Sequence, residues 1–457
     1  MNTLIAITGL GVLCLAFEIF NLRKAIVPMT IIGLLAILGL TMSEYNMTGS
    51  YYHNMIAVDN FSVTFSSLFI ILTIFLVALS HDFYEDHPAR LSDYIAIKIF
   101  LLAGGVAMVS FGNLSMFFLG IEVLSISLYI LAASSRLDLK SNEAGMKYFL
   151  MGSFASGIIL FGICLVYGAM GTFDITEISE LTRSAELPDK WFFSGIALML
   201  IGMLFKVAAV PFHFWAPDVY EGSPTLTTAL MSTLTKVVAM AALYKLISSM
   251  NVPFSYPYEM IIAAVSIASM TVGNIMALRQ ENVKRMLAFS GISHAGFMLM
   301  ALLAMPLVAG TLLYYAAAYA LAGIAAFTVI LYVCKNKNNE LASNFNGLGK
   351  TNPLMAAILT GALLSMAGIP IFSGFLAKFM LFSQTITAGY IGVVIVAVVN
   401  SIISVGYYFR LIIAMYTKEP TEQPGKVPFV FHAVAILSIL LNILIGMFPA
   451  LLTDLVV

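Results

Sequence analysis

The stretch Leu198–Thr225, "LMLIGMLFKVAAVPFHFWAPDVYEGSPT", decides how the rest of the chain is read. Its first half is an apolar run of the kind that crosses a bilayer, yet it holds Lys206 and is followed by Pro211 and Pro217. An ionisable group in hydrocarbon costs about 2.5–3.5 kcal/mol on insertion scales. Pro211 has no N–H, and its ring crowds the carbonyl of Val207, so a helix running through Lys206 must open there. Broken backbone at membrane depth is tolerated only where the freed groups meet protein or water. A charge beside a break therefore marks a place where water reaches a titratable group inside the membrane.

The rest of the chain supports the membrane setting. Of 457 residues, 61% are hydrophobic and 10% charged, against about 25% charged in an ordinary soluble domain. The net charge of −1 argues against nucleic acid as a partner. Cys14, Cys164 and Cys334 stand far apart in apolar runs, so no iron–sulfur, zinc, other metal or disulfide site is expected. No glycine-rich phosphate loop opens a βα unit. Apolar stretches near the roughly 20 residues needed to span a bilayer recur fourteen times. They lie at 3–22, 25–43, 61–80, 92–111, 114–133, 145–170, 191–212, 225–247, 258–278, 286–307, 310–333, 352–383, 388–416 and 428–452. The expected fold is an all-α integral membrane protein of about 14 transmembrane helices. The first stretch has no basic residue before it and reads as a span, not a cleaved signal peptide.

Basic loop residues set orientation. Arg23, Lys24, Arg90, Arg136, Lys140, Arg279, Lys284, Arg285, Lys335, Lys337, Lys350, Lys418 and Lys426 fall on one side, 13 in all. Only Arg183, Lys190 and Lys245 fall on the other, a count of 3. Both termini are therefore expected outside, on the periplasmic face of a bacterial inner membrane.

Within the spans, a few charges stand near mid-depth. Glu122 is about 12 Å into its span, Lys236 about 17 Å and His294 about 12 Å, at 1.5 Å per residue. Lys378 lies in the second half of the twelfth span. Bland readings fit the other groups: Lys98 near a span end should snorkel to the headgroups, as should Lys147 and Arg410. Glu18 should pair with Arg23 and Lys24. His213, beside Trp215, reads equally as an interfacial anchor or a relay, and His294 could be a satisfied core histidine. Glu122, Lys206, Lys236 and Lys378 need more, because a buried ion pair often stabilises no better than apolar residues of the same volume.

Pro370, with Gly361, Gly368 and Gly374 around it, breaks the twelfth span as Pro211 breaks the seventh. Spans four to eight and nine to thirteen thus form two blocks of five, each with its broken helix fourth and an ionisable group in its second helix. Five is odd, so the second block should lie inverted, the pattern of inverted-repeat transporters. The expected organisation is a three-helix segment over 1–91, repeats over 92–250 and 251–420, and a last helix over 421–457.

"GIEVLSISLYIL" with Glu122, "LFKVAAVPFHFWAPDVYEGSPT" with Lys206, "STLTK" with Lys236, "QENVKRMLAFSGISHAGFMLMAL" with His294 and "GIPIFSGFLAKF" with Lys378 together resemble the antiporter-like membrane subunits of NADH:quinone oxidoreductase (respiratory complex I). The similarity covers roughly residues 60–415. "APDVYEGSPT" departs from the "LPDA" usual in subunits L and M, and subunit M usually has glutamate where Lys378 stands. The chain also shows no long lateral helix of the kind subunit L carries.

The resemblance implies a proton-translocating subunit with no redox centre of its own, part of a translocase. NADH, FMN, iron–sulfur clusters and quinone would belong to partner subunits. It implies a Glu122–Lys206 pair whose association tunes the lysine, a central relay of Lys236 and His294, and Lys378 as terminal group. It further implies antiporter-like subunit M, small subunits J and K, and membrane lipids as neighbours. Rival readings are a subunit of a multisubunit cation/proton antiporter, or of a related membrane-bound hydrogenase or photosynthetic complex, and an independent solute symporter. The antiporter reading predicts sodium dependence. The symporter lacks a cluster of hydroxyls and acceptors at the breaks. A purely structural scaffold leaves the retained charges without a reason.

Overall fold

The computed structural model describes residues 2–20, 22–84, 91–184, 190–250, 256–305, 308–335, 337, 339–420 and 425–455. Arg90, used for orientation above, lies outside the described residues. The principal helices are α1 (Asn2–Ile19), α2 (Ile26–Ser43), α3 (Asn60–Ala78), α4 (Leu91–Val109), α5 (Leu114–Ala132) and α6 (Leu139–Met170). They continue as α7 (Lys190–Lys206), α8 (Trp215–Gly222), α9 (Thr225–Ser249), α10 (Tyr256–Ala277), α11 (Val283–Leu299) and α12 (Ala309–Cys334). The last are α13 (Pro353–Ala367), α14 (Ser373–Thr387), α15 (Ile391–Thr417) and α16 (Phe429–Met447). Asn and Asp start several of them as the sequence dictates. Asp59 and Ser62 form a reciprocal capping box at α3, and Asn113, Asp138, Asn282 and Asn352 cap α5, α6, α11 and α13.

Among the described residues, 12 helices are long and apolar enough to cross a bilayer. The expected spans at 191–212 and 352–383 are the two that fall short, because each is interrupted. The first leaves α7 with 17 residues, and the second divides into α13 and α14 of 15 residues each. The all-α expectation also omits a small antiparallel hairpin, Gly49–Tyr51 with Ile56–Val58, pairing Ser50 with Ala57. Its turn holds Tyr52, His53 and Asn54 at positive φ.

Burial is graded from centre to edge. α9, α11 and α12 are buried along their whole apolar windows, whereas α1, α2, α6, α15 and α16 keep broad apolar faces exposed. The exposed leucines, isoleucines and phenylalanines of these outer helices are the surface a bilayer solvates. α6 and α7 pack backbone against backbone, since a Cβ on Gly162 or Gly195 would come within 2.7 Å of the other's carbonyl oxygen. That contact aligns α6 with the half-helix ending at Lys206.

Both breaks have their freed polar groups met inside the protein. After Lys206 the chain turns through Ala208 at φ 59° and a cis Val210–Pro211 peptide. The Val210 N–H donates to Ser269 Oγ on α10 at 2.9 Å, and the Phe205 carbonyl accepts from the Trp215 indole at 3.1 Å. In the second break Gly368, at φ 89°, ends α13 by bonding back to Leu364 and Ser365. The Gly374 N–H then donates to Ser365 Oγ, which itself bonds Asn442 of α16.

Replacing Ser269 with alanine orphans the Val210 N–H. Ser269→Ala should cost about 1 kcal/mol, read as a lower unfolding temperature of the purified protein with unchanged helix content. An unchanged unfolding temperature would show that the break does not depend on this bond.

Candidate functional site

Lys206 is the last residue of α7, so its cation stands at the negative end of that helix's dipole. Its Nζ donates to Ser125 Oγ at 2.7 Å and Ser156 Oγ at 3.2 Å. Ser125 is three residues after Glu122 on α5, and Ser156 comes from α6. Glu122 and Lys206 are not in ion-pair contact within 4.0 Å. Glu122 Oε1 is buried without a hydrogen-bond partner among the described residues. The expected ion pair is not formed in this structure, where Ser125 is on the lysine instead. Above it Tyr129 packs edge-on to Tyr148, which stacks on Trp215 at 4.6 Å. His213, in the break, is buried with Nδ1 unpartnered.

Lys236 begins the last segment of α9, directly after a π-helical turn over Met231–Thr235. Such turns widen a helix locally and often mark functional positions. Lys236 is 3% exposed, and its Nζ has no hydrogen-bond partner among the described residues. It reaches the bare backbone of Gly291 on α11: a Cβ there would sit 2.7 Å from Lys236 Nζ and 3.1 Å from Tyr319 Oη.

Gly291, His294 and Phe297 recur at i, i+3 and i+6, one face of α11 covering about 9 Å. Tyr319 lies ring to ring with His294 at 4.8 Å, and its hydroxyl is 3.4 Å from Ser232 Oγ. His294 Nδ1 is 2.8 Å from Tyr315 Oη, and its Nε2 is 3.5 Å from Tyr408 Oη, which in turn bonds Ser290. Beyond His294, Phe297 offers its ring face to Lys378 Nζ at 4.8 Å. Lys378 closes the row by donating to the Ala367 carbonyl at 3.0 Å.

Both breaks therefore set a lysine against the carbonyl end of a half-helix. Lys206 does so by its place in sequence, Lys378 by folding back from α14 onto α13. Tyr319 lies between Lys236 and His294, and the Phe297 ring between His294 and Lys378. Hydroxyls donate and accept, and imidazole has one nitrogen for each role, so Tyr315, Tyr319 and Tyr408 give His294 a polar surround.

Lys284 and Arg285, read above as loop charges, belong to the first turn of α11 and are engaged. Lys284 is 2% exposed and bonds the Ser223 carbonyl and Glu340. Arg285 pairs with Asp218 and Glu221, and Asp218 also pairs with Lys147. These groups line a polar cavity of about 200 Å³ with Lys140 and Glu143. Burial pushes the Asp218 carboxyl up, but the Arg285 and Lys147 bonds outweigh it and hold the group below its usual range. That stabilisation is present at neutral pH and is lost as pH falls through the lowered carboxyl value.

Glu18 pairs with Arg23 but not Lys24, and also accepts from Ser92. Arg410 binds the carbonyls of Leu278 and Gln280 at the end of α10. Lys98 does not snorkel: it is 1% exposed and points inward.

The pattern of one protein family, described as "NADH:quinone oxidoreductase/Mrp antiporter, TM", matches residues 112–404. The chain belongs to that family. The matched region holds Glu122, Lys206, Lys236, His294 and Lys378. The chain is 71% identical to "NADH-quinone oxidoreductase subunit N" of Flavobacterium johnsoniae, over 100% of both chains. It is 66% identical to the protein of the same name from Flavobacterium psychrophilum, over 98% of each. A chain of "Respiratory complex I from Thermus thermophilus with bound Aureothin" superposes with a TM-score of 0.86 at 30% identity, covering 99% of this chain and 98% of that one. The family resemblance drawn from the motifs is thereby confirmed, and the chain is a multi-pass membrane protein of the antiporter-like kind.

Sequence reasoning missed Ser125, Ser156, Tyr315, Tyr319 and Tyr408. The signal was a Tyr315–Tyr319 spacing of four in "TLLYYAAAYALAGIAAF", which sets both hydroxyls on one helix face. Gly291→Ala should displace Lys236 Nζ, a small cost because the atom to move is the far end of a flexible side chain. A structure of the variant in which Nζ keeps its place beside Tyr319 would refute this.

Proposed function

We propose that this chain is a proton-translocating subunit in the membrane arm of an NADH:quinone oxidoreductase, a non-redox part of a translocase. Glu122, Lys206, Lys236, His294 and Lys378 carry the protons, with Tyr315, Tyr319 and Tyr408 grouped around His294. The observation that carries the reading is the row itself: three buried lysines and a histidine on apolar helices, with no carboxylate among the described residues in ion-pair contact and tyrosine hydroxyls around the histidine. Lysine can lose and regain a proton, whereas a structural cation would be given a counter-charge. The names of the relatives from Flavobacterium support the same assignment.

A nearby carboxylate favours the ammonium form and its withdrawal favours the amine. In this structure Ser125 and Ser156 hold Lys206 away from Glu122; motion of α5 against α7 would switch the lysine between partners. One charge crossing 100 mV requires about 2.3 kcal/mol, within reach of one such electrostatic change.

Electrons would pass through the NADH, FMN, iron–sulfur and quinone sites of partner subunits, with antiporter-like subunit M and small subunits J and K as membrane neighbours. The two broken-helix blocks, 92–250 and 251–420, would be inverted half-channels in the bacterial inner membrane, both termini outside. The paired lysine-capped breaks support the repeat, and the basic-residue count supports the orientation.

Two experiments test this. Lys206→Arg keeps the charge but not the ability to release a proton, since arginine stays charged above pH 12. At equal amounts of assembled complex in sealed vesicles, it should lower protons moved per NADH. Wild-type pumping would make Lys206 structural. For orientation, cysteines placed singly at the exposed Ser50 and Asn339, with Cys14, Cys164 and Cys334 replaced, should react with an impermeant thiol reagent from opposite sides. Labelling from the same side would overturn both orientation and inversion.

A further inference from the structure

Lys98 stands outside the row just described. It lies on α4, about 10 Å along the helix from Leu91, and is 1% exposed. Its Nζ donates to Ser80 Oγ at 2.6 Å and sits 5.0 Å over the ring of Tyr84. The Tyr84 hydroxyl is itself buried and without a hydrogen-bond partner among the described residues. Tyr84 packs on Tyr94 at 4.7 Å, whose hydroxyl donates to the Ser134 carbonyl.

None of the ionisable groups on the described elements packed around α4 forms an ion pair with Lys98. Glu18 of α1 holds Arg23 and Ser92. Asp82 pairs with His81 through Oδ1, its Oδ2 being buried with no hydrogen-bond partner among the described residues, and Asp93 of α4 itself is exposed. Glu122 and Tyr129 of α5 lie at the Lys206 site, while α9 contributes Lys236, facing Gly291, and Lys245, paired with Asp59. Among the described residues, no carboxylate makes an ion pair with Lys98 within 4.0 Å.

The other deeply buried lysines divide sharply. Lys245 and Lys284 each have a carboxylate, as a permanent buried cation requires. Lys98 has one neutral hydroxyl and a ring face, which hold an ammonium weakly and an amine easily. An unfilled tyrosine hydroxyl beside it is a polar group that a water would satisfy.

We propose that Lys98, Ser80 and Tyr84 form a further proton-holding site of this protein, separate from the Glu122–Lys378 row. The site rests on the reading that the protein moves protons. A protonated water at Tyr84 would give its proton to the Lys98 amine, an N–H bond forming as the water's O–H bond breaks, and the return step breaks that N–H bond as an O–H bond re-forms on water.

The test uses the whole complex in sealed vesicles, with protons moved per NADH measured across pH for wild type, Lys98→Arg, Ser80→Ala and Lys206→Arg. Lys98→Arg should lose pumping at every pH. Ser80→Ala removes a group that steadies the ammonium form. Its alkaline limb should therefore move to lower pH by about 0.5–1 unit, a shift that a merely structural role would not cause. Wild-type profiles for Lys98→Arg and Ser80→Ala, beside poor pumping by Lys206→Arg, would overturn the Lys98 site and leave the transport reading standing. Wild-type pumping by Lys206→Arg as well would mean that the transport reading had failed, and this site with it. Should Lys98→Arg not assemble, the Ser80→Ala profile decides alone.

Discussion

Inside a bilayer every backbone N–H and C=O freed from a helix must be met within the protein, and this chain frees them twice at depth. The partners it uses are not incidental. The Val210 N–H of the first break is held by Ser269, a side chain from α10 in the following block. The Phe205 carbonyl is held by Trp215, which also carries the aromatic stack on Tyr148. In the second break, Ser365 and Asn442 tie α13, α14 and α16 into one bonded unit. Each interruption is therefore anchored by elements distant in sequence, and the lysines beside the breaks inherit that rigidity.

The buried cations show how environment sorts one residue type into different tasks. Lys245 and Lys284 have carboxylates and carbonyls around them and act as ties between segments. Lys206, Lys236 and Lys378 have hydroxyls, bare glycine backbone or a helix end instead. The centre of the molecule, α9, α11 and α12, is buried along its whole apolar windows. The lysines there stand among hydroxyls and backbone carbonyls of neighbouring segments.

Much of this was legible in the sequence, and what escaped did so for physical reasons. A proline or glycine acts on its own backbone, so Pro211 and Gly368 announced the breaks. Lys206, Lys236 and Lys378 stood out because charge in an apolar run is expensive wherever it points. Direction was another matter. Lys98 and Arg410 occupy similar places near span ends, yet Lys98 turns inward to Ser80 while Arg410 stays exposed on helix carbonyls. Tyr315, Tyr319 and Tyr408 looked like ordinary core aromatics, since burial and hydrogen bonding make the same demand on both. The π turn before Lys236 has no composition of its own. Lys284 and Arg285 passed for loop charges because the cap at Asn282 begins the helix inside the polar run, before it ends at Arg285.

The bond from Lys378 to the Ala367 carbonyl links charge to shape. As an ammonium, Lys378 offers a charge-assisted donor to the end of α13 and complements its dipole. As an amine it offers an ordinary, weaker one. The strength of the tie at the end of α13 thus depends on a single proton, and the left-handed Gly368 directly follows that end. Charge on one side chain and the termination of a main-chain helix meet at one bond.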